Sequence, residues 1–245
     1  MKTNSENINE KFLSDFKQIY LNPSKIDYFL KHNSDYIEED IKRKFKKLNL
    51  DHNFAIYRIG GFGRGEISPS SDVDISIIET NHPKNYSNLE IFISSLWDEG
   101  YKVGHSVRSI KDIKEITKSD VSEFTSYLTR KPILSDRNLD KLVSKTLSNL
   151  WTSTKFYKAK FLEQNNRHRE FFLSSSNLEP NLKESPGSSR DFHSALWILQ
   201  HCYGLKTVDD ILNLSFFKDE FLIARNAYNF IKVLRFITNL FTKNN

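Results

Sequence analysis

The chain has 245 residues, 38% of them hydrophobic and 27% charged, which is enough apolar material for one large or two small cores and excludes a disordered tail. No apolar run approaches the roughly 20 residues that span a bilayer, and the polar segment Met1–Glu10 lacks the apolar stretch of a secretion signal, so a cytoplasmic protein that meets no membrane is expected. The one cysteine, Cys202, excludes an intrachain disulfide and a thiolate metal cage and reads as a buried, inert thiol, while a formal charge of +5 suits phosphate contact without saying whose.

In chain order, "SENINEKFLSDFKQIYL" and "KIDYFLKHNSDYIEEDIKRKFKKLNL" carry apolar residues at helical spacing, with Ser5 and Ser24 as N-caps. Phe54 to Ile59 and Val73 to Ile78 are short apolar runs and read as strands. "NLEIFISSLWDEG" is helical up to Gly100, and "YKVGHSVRSI" reads as a third strand. Beyond Asp120, "DVSEFTSYLTRKPILSD" (interrupted by Pro132), "DKLVSKTLSNLW" and "TSTKFYKAKFLEQNNRHREFF" are helical patterns. A polar, turn-rich interval, "LSSSNLEPNLKESPGSSRD", separates them from the helical "FHSALWILQHCYG" and "FLIARNAYNFIKVLRFITNLF". This order describes an α+β protein: a small mixed domain over residues 1–140, led in by helices, then an all-helical domain over 141–245.

Between the first two strands stands "GGFGRGEISPSSDVD". A P-loop needs a lysine after its glycines, and none follows here. A dinucleotide-binding turn needs a full helix and a parallel second strand, and the spacing to Val73 leaves room for about one helical turn, which argues for an antiparallel or offset strand. What fits is a turn whose bare backbone approaches a phosphate, then a short helix. Asp72 and Asp74 sit two residues apart, so both carboxylates leave the same strand face, a hard-oxygen pair suited to Mg²⁺, with two ions expected across an in-line displacement at phosphorus. The bland alternative is an ordinary turn followed by a solvated strand face.

The order of glycine turn, Ser-Asp-x-Asp and strand resembles the polymerase-β-like nucleotidyltransferase fold. Within that fold, "GGFGRGEISPSSDVDISII", "VGHSVRS", "KFYKAKFLEQNNRHREF" and "NLEPNLKESPGSSRDFHSALWI" are similar, in the same order, to the bacterial PII uridylyltransferase family, over about residues 25 to 236. The resemblance implies a small mixed sheet with flanking helices, a helical domain after it, and an enzyme that transfers UMP from UTP to a tyrosine hydroxyl of a PII-like protein and releases pyrophosphate. It implies that Gly60, Gly61 and Gly63 hold the triphosphate and that Asp72 and Asp74 bind Mg²⁺ and serve catalysis. Arg64 and Glu66 match the motif and could equally form a local ion pair. Ser71 is placed with the nucleotide or braces the strand. Glu179, Lys183, Arg190 and Asp191 are implied to close on the nucleotide, against the plainer reading in which Asp191 caps a helix that starts at Phe192. Arg167, His168 and Arg169 read as a solvated or interdomain face.

Three departures stand out. The stretch "KVGHSVRS" offers His105 where the wider fold carries a third carboxylate; "SPGSSRD" puts Ser188 and Ser189 in place of the family's glycine and leucine; and the chain ends at Asn245, before the family's HD and ACT domains, so neither UMP removal nor glutamine sensing is expected of it. Two other functions compete: a nucleotidyltransferase with another acceptor, whether protein, RNA or small molecule, and an inactive partner-binding relative. Nucleic acid is not expected as a partner.

Overall fold

The computed structural model of the protein describes residues 4–80, 86–173, 181–205, 210–211, 213 and 218–241. Two helices lead in, α1 (Asn4–Leu21) and α2 (Ile26–Lys47). Strand β1 (Phe54–Arg58) is buried along its length. The glycine turn coils as α3 (Gly60–Arg64), and β2 (Val73–Glu79) runs back antiparallel to β1 with Arg58 opposite Ile75. A crossover through α4 (Ser87–Asp98) delivers β3 (Val103–Arg108) parallel to β2, with Asp74 opposite Gly104 and Ser76 opposite Ser106. Then come α5 (Ile110–Ser119), α6 (Val121–Leu128) and β4 (Lys131–Leu134), which pairs with the free edge of β1 to complete a four-stranded mixed sheet in the order β3-β2-β1-β4. Helices α7 (Arg137–Ser148), α8 (Ser153–Leu173), α9 (Ser189–Tyr203) and α10 (Lys218–Phe241) follow.

The second strand is antiparallel, one of the two arrangements, antiparallel or offset, for which the short spacer argued. Other sequence expectations need correction. "KPIL" within the third helical pattern is strand β4, because Pro132 ends helical hydrogen bonding and the segment finds a ladder on β1 instead. Ser24 is not the cap of α2: it sits in a 3₁₀ turn, Pro23–Lys25, where its hydroxyl donates to Asn22 Oδ1 at 2.6 Å, and Lys25 occupies the cap position. Ser5 lies within α1, in the part whose side chains are outside the described residues.

The sheet's two faces differ in chemistry. On one, Ile56, Ile75 and Ile77 are buried and Arg58 extends to Asp35 (3.2 Å) and Glu38 (2.9 Å) of α2. Burial of Glu38 raises its carboxyl above the ordinary range, with Arg58 pulling the other way. On the other face α6 supplies partners: the Ser76 hydroxyl and the Tyr127 phenol share a buried 2.8 Å hydrogen bond, and Arg108 donates twice to Glu123, at 2.7 and 3.2 Å. The Asp120 carboxylate caps α6 by accepting from the backbone N–H groups of Ser122 and Glu123.

The chain divides into two compact units, Met1–Leu150 with Phe236–Asn245, and Trp151–Arg235. The expected change at residue 140 falls inside α7, which stays with the first unit, and the end of α10 also belongs there. Phe236 meets the Phe12 ring edge-on at 6.0 Å, Phe241 meets Phe16 at 5.1 Å, and Asn239 donates to Ser68 at 3.4 Å. Within the second unit, α8 and α9 bury Phe156, Trp197 and the lysine stem of Lys160, whose ammonium lies 4.5 Å from the Trp197 ring centre and donates to Glu163 at 2.6 Å. Among the described residues no helix is long and apolar enough to cross a membrane.

Gly63 shows how tightly α3 is set into the first unit. A Cβ there would lie 2.5 Å from the Thr129 carbonyl oxygen and 3.1 Å from that of Arg58, both backbone atoms that cannot swing away. Gly63→Ala is therefore expected to lose about 1–3 kcal/mol by overpacking, read as a lower midpoint in urea unfolding, and an unchanged midpoint would contradict this packing.

Candidate active site

The end of β1 and the start of β2 carry the site. Ile59 is extended, its N–H bonds the Asp74 carbonyl at 3.0 Å, and the backbone then turns through Gly60 at φ 58° into α3. A Cβ on Gly60 would sit 2.8 Å from Asp74 Oδ2, so this position combines a left-handed backbone with a carboxylate pressed against it. From the neighbouring strand the same carboxylate is met by Gly104, where a Cβ would lie 2.6 Å from Oδ1. Asp74 is thus held in a slot whose two walls are bare backbone. Beside it opens a cavity of about 400 Å³ whose lining includes Gly60, Asp74, Gly104, Ser106, Arg108 and Glu123.

The other residues singled out from the sequence fall in different places. Asp72 precedes β2 and is exposed at its head, one pleat from Asp74 and outside the cavity lining. A side chain at Gly61 would meet nothing closer than 3.7 Å, so this backbone is open to approach, whereas Gly63 is buried against Thr129. Arg64 donates from Nε to Glu66 at 2.7 Å, so the local ion pair is present and closes the turn. The Ser71 hydroxyl accepts the Ser68 N–H at 3.0 Å and shares a bond with the Ser68 hydroxyl at 2.9 Å, bracing the approach to β2. His105 alternates to the strand face opposite Gly104 and Ser106, although it too borders the cavity, and its ring lies 5.7 Å from that of Trp97.

The "NLKESPGSSRD" segment in the second unit is largely self-satisfied. The backbone N–H groups of Ser188, Ser189, Arg190 and Asp191, which open α9, bond the carbonyls of Ser185, Leu182, Lys183 and Ser188. Helix α9 starts at Ser189 with Ser188 at its cap, so Asp191 does not cap a helix beginning at Phe192. It lies within the first turn of that helix, and the preceding loop, turning at Gly187 (φ 77°), presents that residue's N–H to the carboxylate at 2.7 Å. Asp191 also binds Arg167 and, at 3.0 Å, His168, so these two are an internal network and not a solvated face. Burial raises the Asp191 carboxyl, but the Gly187 N–H, His168 and Arg167 outweigh it and leave it below the usual range. Arg190 donates twice to Glu184, at 3.2 and 2.8 Å, while Lys183 is exposed. Glu179 lies outside the described residues. Cys202 is partly exposed, donates weakly to the Ser153 carbonyl at 3.5 Å, and burial pushes its thiol up, which keeps it protonated.

Sequence reasoning missed Gly104, Ser106 and the whole contribution of α6. The available signal was the glycine inside a strand pattern, which marks a close approach by another group.

The donor set suits a hard divalent cation. Two oxygen-only side chains at alternate positions, one already oriented by its slot, match Mg²⁺, which takes one or two carboxylates and completes its shell with water and phosphate. Among the described residues no group of three or more His, Cys, Asp or Glu side chains gathers at one point, so a cage built wholly of such side chains is not formed there.

This arrangement of glycine turn, short helix and paired aspartates on a mixed sheet is that of a nucleotidyltransferase domain, and residues 35–130 match the nucleotidyltransferase domain family. Residues 155–244 match the GlnD PII-uridylyltransferase family. Proteins named bifunctional uridylyltransferase/uridylyl-removing enzyme are similar over most of the chain: 32% identical across 86% of it in Hydrogenovibrio crunogenus, 33% across 88% in Acinetobacter baumannii, and 32% across 93% in Acinetobacter baylyi. The chain is similar to these uridylyltransferases over most of its own length, and it spans about a quarter of theirs, 24%, 25% and 26% respectively.

Two outcomes follow from these contacts. Gly104→Ala is expected to push the Asp74 carboxylate aside while the fold holds, so nucleotidyl transfer falls about 10-fold or more with a melting temperature near that of the parent; equal activity would show that the slot does not matter. Asp191→Asn is expected to cost about 1–3 kcal/mol at pH 7. Since the folded-state carboxyl is depressed, its stabilisation is present above the unfolded value near 4 and is lost as pH falls through the folded value, so the two melting curves should converge in acid.

Proposed function

We propose that the chain is a Mg²⁺-dependent uridylyltransferase that moves UMP from UTP to a tyrosine hydroxyl of a PII-like signalling protein. The observation that carries this reading is the Asp74 carboxylate set between Gly60 and Gly104, beside an open glycyl backbone at Gly61. Such pre-orientation makes sense for a ligand that must meet a cation and a phosphate at once. The relatives' names support a uridylyl group as the one transferred, and the name of the family that residues 155–244 match supports a PII-like acceptor.

Asp72 and Asp74 would hold the cation. When bound, the ion offsets charge on the phosphates and stabilises the entering and leaving oxygens. The turn from Gly60 to Gly61 would offer backbone N–H groups to the β- and γ-phosphates. Ser68 and Ser71 keep the segment before Asp72 in place, and the Arg64–Glu66 pair holds the turn. The acceptor oxygen bonds to the α-phosphorus, the bond to the bridging oxygen breaks, pyrophosphate leaves with that electron pair, and the hydroxyl proton passes to water.

Asp72→Asn and Asp74→Asn, assayed with α-labelled UTP and a PII-like protein, are expected to reduce transfer about 10³-fold or more while shifting the unfolding midpoint little, since charge is lost and volume is kept. Normal transfer by both variants would overturn the metal assignment. Label on another acceptor would favour the neighbouring reading, a nucleotidyltransferase of different target.

A further inference from the structure

Ser76 and Ser106 are register partners on adjacent strands and share a sheet face, yet their hydroxyls differ. Ser76 is satisfied by Tyr127 at 2.8 Å, whereas Ser106 Oγ is buried with no hydrogen-bond partner among the described residues, and it lines the cavity beside Asp74. Leaving a buried hydroxyl unmet costs about 1–3 kcal/mol, a cost that a bound group in the cavity would remove. We propose that the β3–α6 side of this cavity receives the acceptor's hydroxyl-bearing side chain and that Ser106 is a specificity-determining contact for it.

The assignment rests on the function proposed above and extends it by geometry. In an in-line displacement the entering oxygen and the leaving pyrophosphate lie on opposite sides of the phosphorus. The Asp74 carboxylate has Gly60 on one side and Gly104 on the other. With the pyrophosphate end on the glycine turn, the acceptor enters past Gly104, and Ser106 is the next residue along that face, about 7 Å on. A hydrogen bond to Ser106 orients the hydroxyl; the step itself remains attack on the α-phosphorus, loss of pyrophosphate with the electron pair of the broken bond, and release of the hydroxyl proton to water.

Charge indicates which acceptor fits. Asp74, Asp120 and Glu123 line the cavity together with His105, and the guanidinium there, that of Arg108, is already held by Glu123 through two hydrogen bonds. That lining opposes an RNA end or a phosphorylated sugar and tolerates a neutral phenol. The volume, about 400 Å³, takes one aromatic side chain with room for water.

Ser106→Ala and Ser122→Trp, the second chosen to fill the cavity from α6, test this against the parent chain with Mg²⁺, UTP and a PII-like acceptor. In Ser106→Ala the KM for the acceptor is expected to rise about 3- to 10-fold, the loss of one hydrogen bond, with the Kd for Mg·UTP unchanged. Ser122→Trp is expected to abolish transfer and keep UTP binding. Weakened UTP binding in either variant would put the nucleoside in the cavity and overturn the assignment, as would an unchanged acceptor KM. A parent chain that labels no acceptor, while still binding Mg·UTP, would instead sink the function proposed above and this assignment with it.

Discussion

The site depends on a carboxylate with no room to move. Asp74 leaves β2 toward two positions where even a methyl group would collide with it, Gly60 on the turn after β1 and Gly104 on β3. Three separate backbone segments must therefore be in register before the carboxylate has its orientation. Antiparallel pairing of β1 with β2 brings the glycine turn alongside, and parallel pairing of β2 with β3 brings Gly104. A free aspartate would have to surrender rotamer entropy on meeting a cation; here folding has already fixed it.

The surrounding architecture can be understood as support for that slot. Gly63 lets α3 sit against the Thr129 and Arg58 carbonyls, which sets the turn's height over the sheet. The Ser68–Ser71 pair and the Arg64–Glu66 ion pair tie down the chain between the turn and β2. On the far side, α6 is capped by Asp120 and bonded to the sheet through Tyr127 and Glu123, which closes a polar wall around a cavity that would otherwise be an open sheet face. Among the described residues the Ser106 hydroxyl is one of the buried side-chain polar groups left without a hydrogen-bond partner.

In the second unit, residues that look like nucleotide ligands also have a structural role. Arg190 is engaged by Glu184, the first amides of α9 are satisfied by the loop before them, and Asp191 gathers Arg167, His168 and the Gly187 amide. A motif of charged residues can therefore persist because it builds a loop. Among its charged side chains, Lys183 is solvent-exposed.

The glycine turn, the alternate aspartates and the short spacer that rules out a full parallel crossover are local properties, so the sequence alone determined the class of domain and the positions of its acids. The same holds for the helices, whose apolar spacing is visible within one window. Only tertiary structure decided that "KPIL" is a strand, since its hydrogen-bond partner lies more than seventy residues earlier on β1. It also decided that Gly104 and Ser106 belong to the site, that His105 does not share their face, and that the end of α10 rejoins the first unit. Each of those depends on which distant backbone comes alongside, and no pattern within a single stretch of chain carries that information.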